Sequence, residues 1–208
     1  MIDKTDLPDP LITFMNLASE HANIVNKKDQ TRKIILLGSH AMKQYGLDRY
    51  TADVDIHLSL EDVSSEKELD FVEAILKSQG NNLDQDTFQP YGVKVVVDGN
   101  PIDWFNNLDF SKVNDIPEGE LIYQVQGFDL ILPSLEKLMV QKVAAFDRLN
   151  NNGRHAIDID TVWKKNKNKI NIKQIKSLLI KYDLVDKWHD VVNYNNEMSL
   201  NSSLPQKL

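Results

Sequence analysis

Lys33-Ile34-Ile35-Leu36-Leu37-Gly38-Ser39, followed thirteen residues later by Asp53-Val54-Asp55-Ile56, is the stretch on which the fold turns. The apolar run predicts a buried strand over 33–37. Gly38-Ser39 then opens a helix to about Tyr45, closed by Gly46 in the usual C-terminal role. The next strand, 53–60, alternates Asp53, Asp55, His57 and Ser59 with Val54, Ile56, Leu58 and Leu60, so one face is core and the other a polar floor. Residues two apart in a strand share a face and lie roughly 6–7 Å apart. Two carboxylates so placed repel each other unless a cation sits beside them. Hard oxygen ligands on a strand suit Mg²⁺, which takes one or two protein carboxylates and completes its shell with water and phosphates. Gly38 lets the backbone approach a phosphate, and Ser39 adds a hydroxyl at a helix start rich in unpaired amides.

A third acid lies further along. Val93–Val97 and 102–105 read as strands joined by the turn Asp98-Gly99-Asn100-Pro101, and the second of them carries Asp103 within Pro101-Ile102-Asp103-Trp104-Phe105. An acid inside so apolar a strand needs a partner or a purpose. If its strand lies beside that of Asp53 and Asp55, three carboxylates can surround two Mg²⁺ ions. Such a site holds a nucleoside triphosphate and stabilises departing pyrophosphate, with Asp103 as the proton acceptor.

Around this centre the chain reads as α+β. Helices are predicted from Asp9-Pro10, with Leu11, Phe14, Met15, Leu17 and Ala18 at helical spacing, and over 65–78, where Leu69, Val72, Ile75 and Leu76 form the stripe. A short strand is expected at 121–125. From Leu132-Pro133-Ser134 the pattern turns helical, over 134–150, 154–166, 172–182 and 184–194, with the last ten residues frayed. The expected organisation is an α/β domain over 1–131, a small mixed sheet flanked by helices, and a C-terminal helical bundle over 132–208.

The 208 residues suffice for a real core, and no apolar run is long enough to span a bilayer. With an acidic N-terminus unlike a signal segment, the expectation is a cytoplasmic protein. Cysteine is absent, so a metal must bind through oxygen or histidine. His40, His57 and His155 lack a metal-ligand spacing and read as ordinary polar positions. The net charge of −7 hides an asymmetry: residues 161–208 carry 9 Lys/Arg against 4 Asp/Glu, concentrated in Lys164-Lys165-Asn166-Lys167-Asn168-Lys169. That excess reads as a solvated helix end and linker, or as a contact for a nucleic-acid backbone.

Gly38-Ser39, the gap, Asp53-Val54-Asp55 and Ile102-Asp103-Trp104 together resemble the signature of the DNA polymerase beta-type nucleotidyltransferase superfamily. Lys142-Val143-Ala144-Ala145-Phe146-Asp147-Arg148, preceded by Leu132-Pro133-Ser134-Leu135-Glu136, resembles a helix of its AbiEii-type members. Arg49-Tyr50-Thr51 and Arg154-His155-Ala156-Ile157-Asp158 stand where that group has further polar residues. Two departures are Ser39 in place of a second glycine and His155 in place of an acid. The resemblance, over residues 33 to 163, implies a nucleotidyltransferase fold and transfer of NMP from an NTP to the hydroxyl of a tRNA end, protein or small molecule. It also implies a toxin role with a cognate antitoxin; an antibiotic-modifying adenylyltransferase and a non-catalytic NTP-binding module are the alternatives. Under it Asp53, Asp55 and Asp103 are catalytic metal ligands, and Gly38, Ser39, Thr51 and Lys142 bind the nucleotide. Lys142 is otherwise a surface lysine of an amphipathic helix, and Asp147 and Arg148 form a structural pair. Arg49 and Asp158 are secondary candidates.

Overall fold

The computed structural model describes residues 7–58, 60, 62–84, 86–90, 92–105, 119–147, 153–198 and 204–206. The chain divides into two compact units. The first takes the chain through His40, from Tyr50 to the end of the β5 strand below, and Gly119–Leu132; the second takes Ala41–Arg49 and the chain from Pro133 onward.

In the first unit, α1 (Asp9–Glu20) carries Pro10 in its opening turn, where a missing amide hydrogen costs nothing, and buries Leu11, Phe14, Met15, Leu17 and Ala18. A short α2 (Ala22–Val25) precedes β1 (Arg32–Leu36), and α3 (Gly38–Lys43) follows at once. Then come β2 (Val54–Leu58), α4 (Ser65–Ser78), β3 (Phe88–Gln89), β4 (Gly92–Val97), β5 (Asn100–Phe105), β6 (Gly119–Val125) and β7 (Phe128–Pro133). The seven strands make one mixed sheet in the order β3-β4-β5-β2-β1-β7-β6. β2 runs parallel to β5 and antiparallel to β1, while β1 runs parallel to β7.

Period-two alternation decides which face is core. Val54, Ile56 and Leu58 of β2, Ile102 and Trp104 of β5, and Val93, Val95 and Val97 of β4 are buried, with β4 packed on α1 and α4 and β5 on α1. Phe71 of α4 meets Trp104 edge-on at 5.9 Å and stacks on Phe128 at 6.1 Å. Trp104 Nε1 donates to Leu58 O at 3.0 Å, so the ring also ties β5 to the end of β2. The β4–β5 turn is the two-residue Asp98-Gly99, both at positive φ (50° and 73°), the geometry that matches hairpin twist.

The sequence places no strand at 128–133, yet β7 lies inside the sheet, between β1 and the edge strand β6. Phe128, Leu130, Ile131 and Leu132 are all buried, so the segment lacks the alternation that marks a half-exposed strand. Gly127, at φ +84°, makes the β6–β7 turn that the residues before it do not announce. Ser59 and residues 106–118 lie outside the described residues.

The second unit is helical from α5 (Leu135–Ala145) through α6 (Gly153–Asn166), α7 (Ile172–Lys181) and α8 (Val185–Glu197). Ser134 caps α5 by accepting from Lys137 N at 3.4 Å. Trp163 and Trp188 meet at 6.4 Å, and Phe146 and Tyr194 at 5.6 Å, joining α6 and the end of α5 to α8. The helix expected to reach Asn150 ends at Ala145, because Phe146 is extended (ψ 128°) and packs its ring on Tyr194 instead. Arg148 lies outside the described residues, and the expected Asp147–Arg148 pair with it. Fraying of the last ten residues does not hold for Leu204 and Pro205: Leu204 is buried and Pro205 O accepts from Trp188 Nε1 at 3.2 Å. Among the described residues no helix is long and apolar enough to cross a membrane.

Trp104→Phe keeps the ring but leaves the buried Leu58 carbonyl without its donor. Urea unfolding is expected to show a loss of about 1–3 kcal/mol, and an unchanged midpoint would contradict this role for the indole.

Candidate metal and nucleotide site

Register brings the carboxylates together. In the parallel β2–β5 pair Asp55 stands beside Asp103, just as Val54 stands beside Ile102 and Ile56 beside Trp104. The apolar neighbours fill the core, and that burial commits both acids to the opposite face. Asp53 lies two residues before Asp55, at the entrance to β2, and shares its face. One carboxylate oxygen from each of Asp53, Asp55 and Asp103 falls within 4.8 Å of the other two, and Asp55 and Asp103 are half-buried.

Two neighbours set this arrangement. Thr51 Oγ1 donates to Asp53 Oδ1 at 2.5 Å, holding the first carboxylate from the side. Gly38, at φ +59°, presses its backbone against the second: a Cβ built there would lie 1.7 Å from Asp55 Oδ2. Leu37 N also donates to Asp55 O at 2.9 Å, which fixes the turn after β1 to β2. Only glycine satisfies both the left-handed backbone and the contact. Ser39 is buried, 4% exposed, directly after it. His57, on the same face of β2, has Nδ1 2.7 Å from Phe105 O and is thereby spent on joining β2 to β5.

The donor set fits a hard divalent cation. Mg²⁺–oxygen bonds of about 2.1 Å place the oxygens of one shell about 3–4 Å apart, and the three carboxylates here each offer an oxygen within 4.8 Å of the others. Gathered acids on a half-buried floor repel one another and favour a bound cation over bulk water.

The other residues that the sequence brings forward lie in the second unit, around Asp158 of α6. Arg49 grips Asp158 with Nε to Oδ1 at 2.8 Å and Nη2 to Oδ2 at 3.1 Å, and Lys142 Nζ of α5 donates to Oδ2 at 2.9 Å. Lys142 is therefore not a surface lysine: its side chain is 8% exposed and that of Asp158 1%. Burial alone would raise the Asp158 carboxyl, but the hydrogen bonds and charges of Arg49 and Lys142 outweigh it and hold the group below the usual carboxylate range. His155 sits beside this cluster with Nδ1 buried and no hydrogen-bond partner. Burial, reinforced by Lys142, brings its pKa down to about 4. Arg49, Lys142 and Asp158 are thus one ion network, a grouping that sequence distance hides.

Lys94, a residue the sequence reading passed over, stands directly across the β4–β5 pair from Asp103. The two-residue Asp98-Gly99 turn could have found it. That turn fixes the antiparallel register, and counting outward pairs 97 with 100 and 94 with 103.

No protein-family profile and no curated protein matches the sequence. Solved structures do. The solution structure of the antibiotic-resistance factor ANT(2″)-Ia aligns with 94% of this chain and 100% of its own, at 12% identity and a TM-score of 0.51. The crystal structure of ANT(2″)-Ia in complex with adenylyl-2″-tobramycin aligns with 83% of this chain and 94% of its own, again at 12% identity and a TM-score of 0.51. The likeness gives this chain the fold of ANT(2″)-Ia, the nucleotidyltransferase fold.

Asp158→Ala removes the buried carboxylate shared by Arg49 and Lys142 and is expected to destabilise the protein by about 3–5 kcal/mol in denaturant titration; a cost below 1 kcal/mol would contradict the buried network. His155 gives a pH signature. Its folded pKa, about 4, lies below the ordinary value of 6.5, so the unfolded chain binds the proton first. Its contribution is complete above pH 6.5 and lost as pH falls toward 4. Thermal melts at pH 7 and pH 5 should show a smaller acid loss in His155→Gln than in the wild type, and equal losses would contradict the assignment.

Proposed function

We propose that this protein is a Mg²⁺-dependent nucleotidyltransferase that moves a nucleoside monophosphate from an NTP to an acceptor hydroxyl. The observation that carries the reading is the convergence of Asp53, Asp55 and Asp103 beside a glycine whose missing side chain leaves Asp55 its place. The nucleotidyltransferase fold of the chain supports it.

Asp53, Asp55 and Asp103 would hold Mg²⁺. Bound there, the metal supplies charge neutralisation for the triphosphate and acidifies the attacking hydroxyl. Gly38 offers close backbone approach for the phosphates at the end of β1, with Ser39 behind it. Thr51 acts through Asp53, fixing the rotamer in which that carboxylate faces its partners. Asp103 takes the proton of the acceptor. The acceptor oxygen forms a bond to the α-phosphorus while the bond from that phosphorus to the bridging oxygen of the β-phosphate breaks, releasing pyrophosphate. The ion pair with Asp158 accounts for Lys142 as a tie between α5 and α6, with no phosphate needed.

Incubation with each NTP labelled at the α-phosphorus, Mg²⁺ and a cell extract tests the reading. The wild type should transfer label and release pyrophosphate, whereas Asp53→Asn and Asp103→Asn should each lose about a thousandfold or more in rate. Transfer that survives both substitutions would sink the mechanism. Gly38→Ala is expected to weaken Mg²⁺-NTP binding by roughly tenfold or more in calorimetry, because its Cβ displaces Asp55; unaltered affinity would remove Gly38 from the site.

A further inference from the structure

Residues 161–182 hold seven lysines and no Asp or Glu. The structure accounts for three of the lysines within the fold. Lys164 pairs with Asp160 one turn back, and Lys165 Nζ donates to Gly46 O at 2.7 Å; both also stand in the last turn of α6, where the helix dipole favours a cation. Lys181 closes α7 in the same way and lies over the Tyr182 ring at 5.2 Å.

Lys167, Lys169, Lys173 and Lys176 remain. All four are exposed, and among the described residues no hydrogen bond or ion pair takes their ammonium groups. Their place on the helix is unfavourable for their charge. Lys169 precedes α7, Lys173 stands in its first turn, and no acid accompanies them there, so they add to the positive pole of the helix dipole instead of offsetting it. Helix stability does not explain such a cluster, whereas an anion outside the chain relieves it.

Two isoleucines share this surface. Ile172, Lys176 and Ile180 follow one another at steps of four along one face of α7, and Lys173 lies on the same side as Ile180, two turns back. Ile172 is 45% exposed and Ile180 60%, whereas Ile175 and Leu179 are buried on the other side of the helix. At a solvent-facing helix position isoleucine buries little and is a weaker helix former than lysine or glutamine.

We propose that this face of α7, with the turn before it, docks the protein on an anionic lipid surface. The contact is peripheral, since among the described residues no helix is long and apolar enough to cross a membrane. It involves none of Asp53, Asp55 and Asp103 and so stands apart from the transfer reading.

The partner follows from what the face holds. A lipid surface takes both kinds of side chain: ammonium groups meet headgroup phosphates and carboxylates, while aliphatic groups enter the boundary between headgroups and acyl chains. A nucleic acid would use the lysines alone. Residues 164–181 contain no aromatic ring to stack on a base and no arginine to fork onto one, and a phosphate backbone offers exposed isoleucines nothing. Each lysine close to an anionic bilayer strengthens binding about fivefold, and the attraction fades over a Debye length of about 8 Å at physiological salt.

Co-sedimentation of the full chain with vesicles tests the assignment. The vesicles are phosphatidylcholine alone or phosphatidylcholine mixed with phosphatidylglycerol, each at low and high salt, and a short RNA is tested in parallel by gel shift. The expected result is pelleting with the anionic vesicles, suppressed by high salt, and none with the neutral ones. Lys173→Gln together with Lys176→Gln should weaken that binding roughly twentyfold or more, and Ile180→Ser about fivefold. Lys67→Gln, at an exposed lysine of α4, should leave it unchanged. Melting curves check that each variant is folded, and all the substituted positions face solvent. Equal pelleting with neutral and anionic vesicles, or none with either, overturns the proposal. Anionic binding that the α7 variants leave unaltered overturns it as well. An RNA shift abolished by the same lysine substitutions, with vesicles ignored, assigns the face to a nucleic acid instead.

Discussion

The pairing of Asp55 with Asp103 across the parallel β2–β5 ladder is the constraint on which the rest of the structure depends. A slip of one residue in either strand would turn its carboxylate into the core and its tryptophan or isoleucine into solvent. The register is held by what lies on the far face. Ile56, Ile102 and Trp104 are fully buried, and the Trp104 indole bonds the Leu58 carbonyl. Hydrophobic burial on one side therefore supplies the force that holds like charges together on the other. Gly38 completes the arrangement, because any larger residue would occupy the place of an Asp55 carboxylate oxygen.

The second unit spends its charges differently. In the sheet, three acids are gathered on one face; around Asp158, the gathered partners are the cationic side chains Arg49 and Lys142. Arg49 and Lys142 saturate both Asp158 oxygens, and the cost of burying these charges is met only because all of them are paired at once. His155 stays neutral beside them, because burial and the charge of Lys142 outweigh the pull of the Asp158 carboxylate. Lys142 thereby ties α5 to α6.

Much of the site was legible because strand alternation is a strong physical signal. Asp53 and Asp55 on a polar floor, and Asp103 as an intruder in an apolar strand, follow from period-two patterning alone. Their convergence was only conditional in the sequence, since which strands become neighbours is decided by packing far from the motif. β7 was missed because a strand buried on both faces has no alternation to read. Arg49 and Asp158 could be noted but not joined, being 109 residues apart. Lys94 is the instructive case: an Asp-Gly hairpin turn carries its own register, so its pairing with Asp103 was countable from the turn.

Joint binding of a divalent ion by the three carboxylates is the feature on which the proposed chemistry depends. Crystals grown with Mn²⁺ and a non-hydrolysable NTP analogue, measured at the manganese absorption edge, would locate the ion by its anomalous scattering. The predicted result is a peak bonded to Asp53, Asp55 and Asp103 and to phosphate oxygens at about 2.0–2.2 Å. Manganese bound elsewhere, or nucleotide bound with no ion at these three residues, would contradict it.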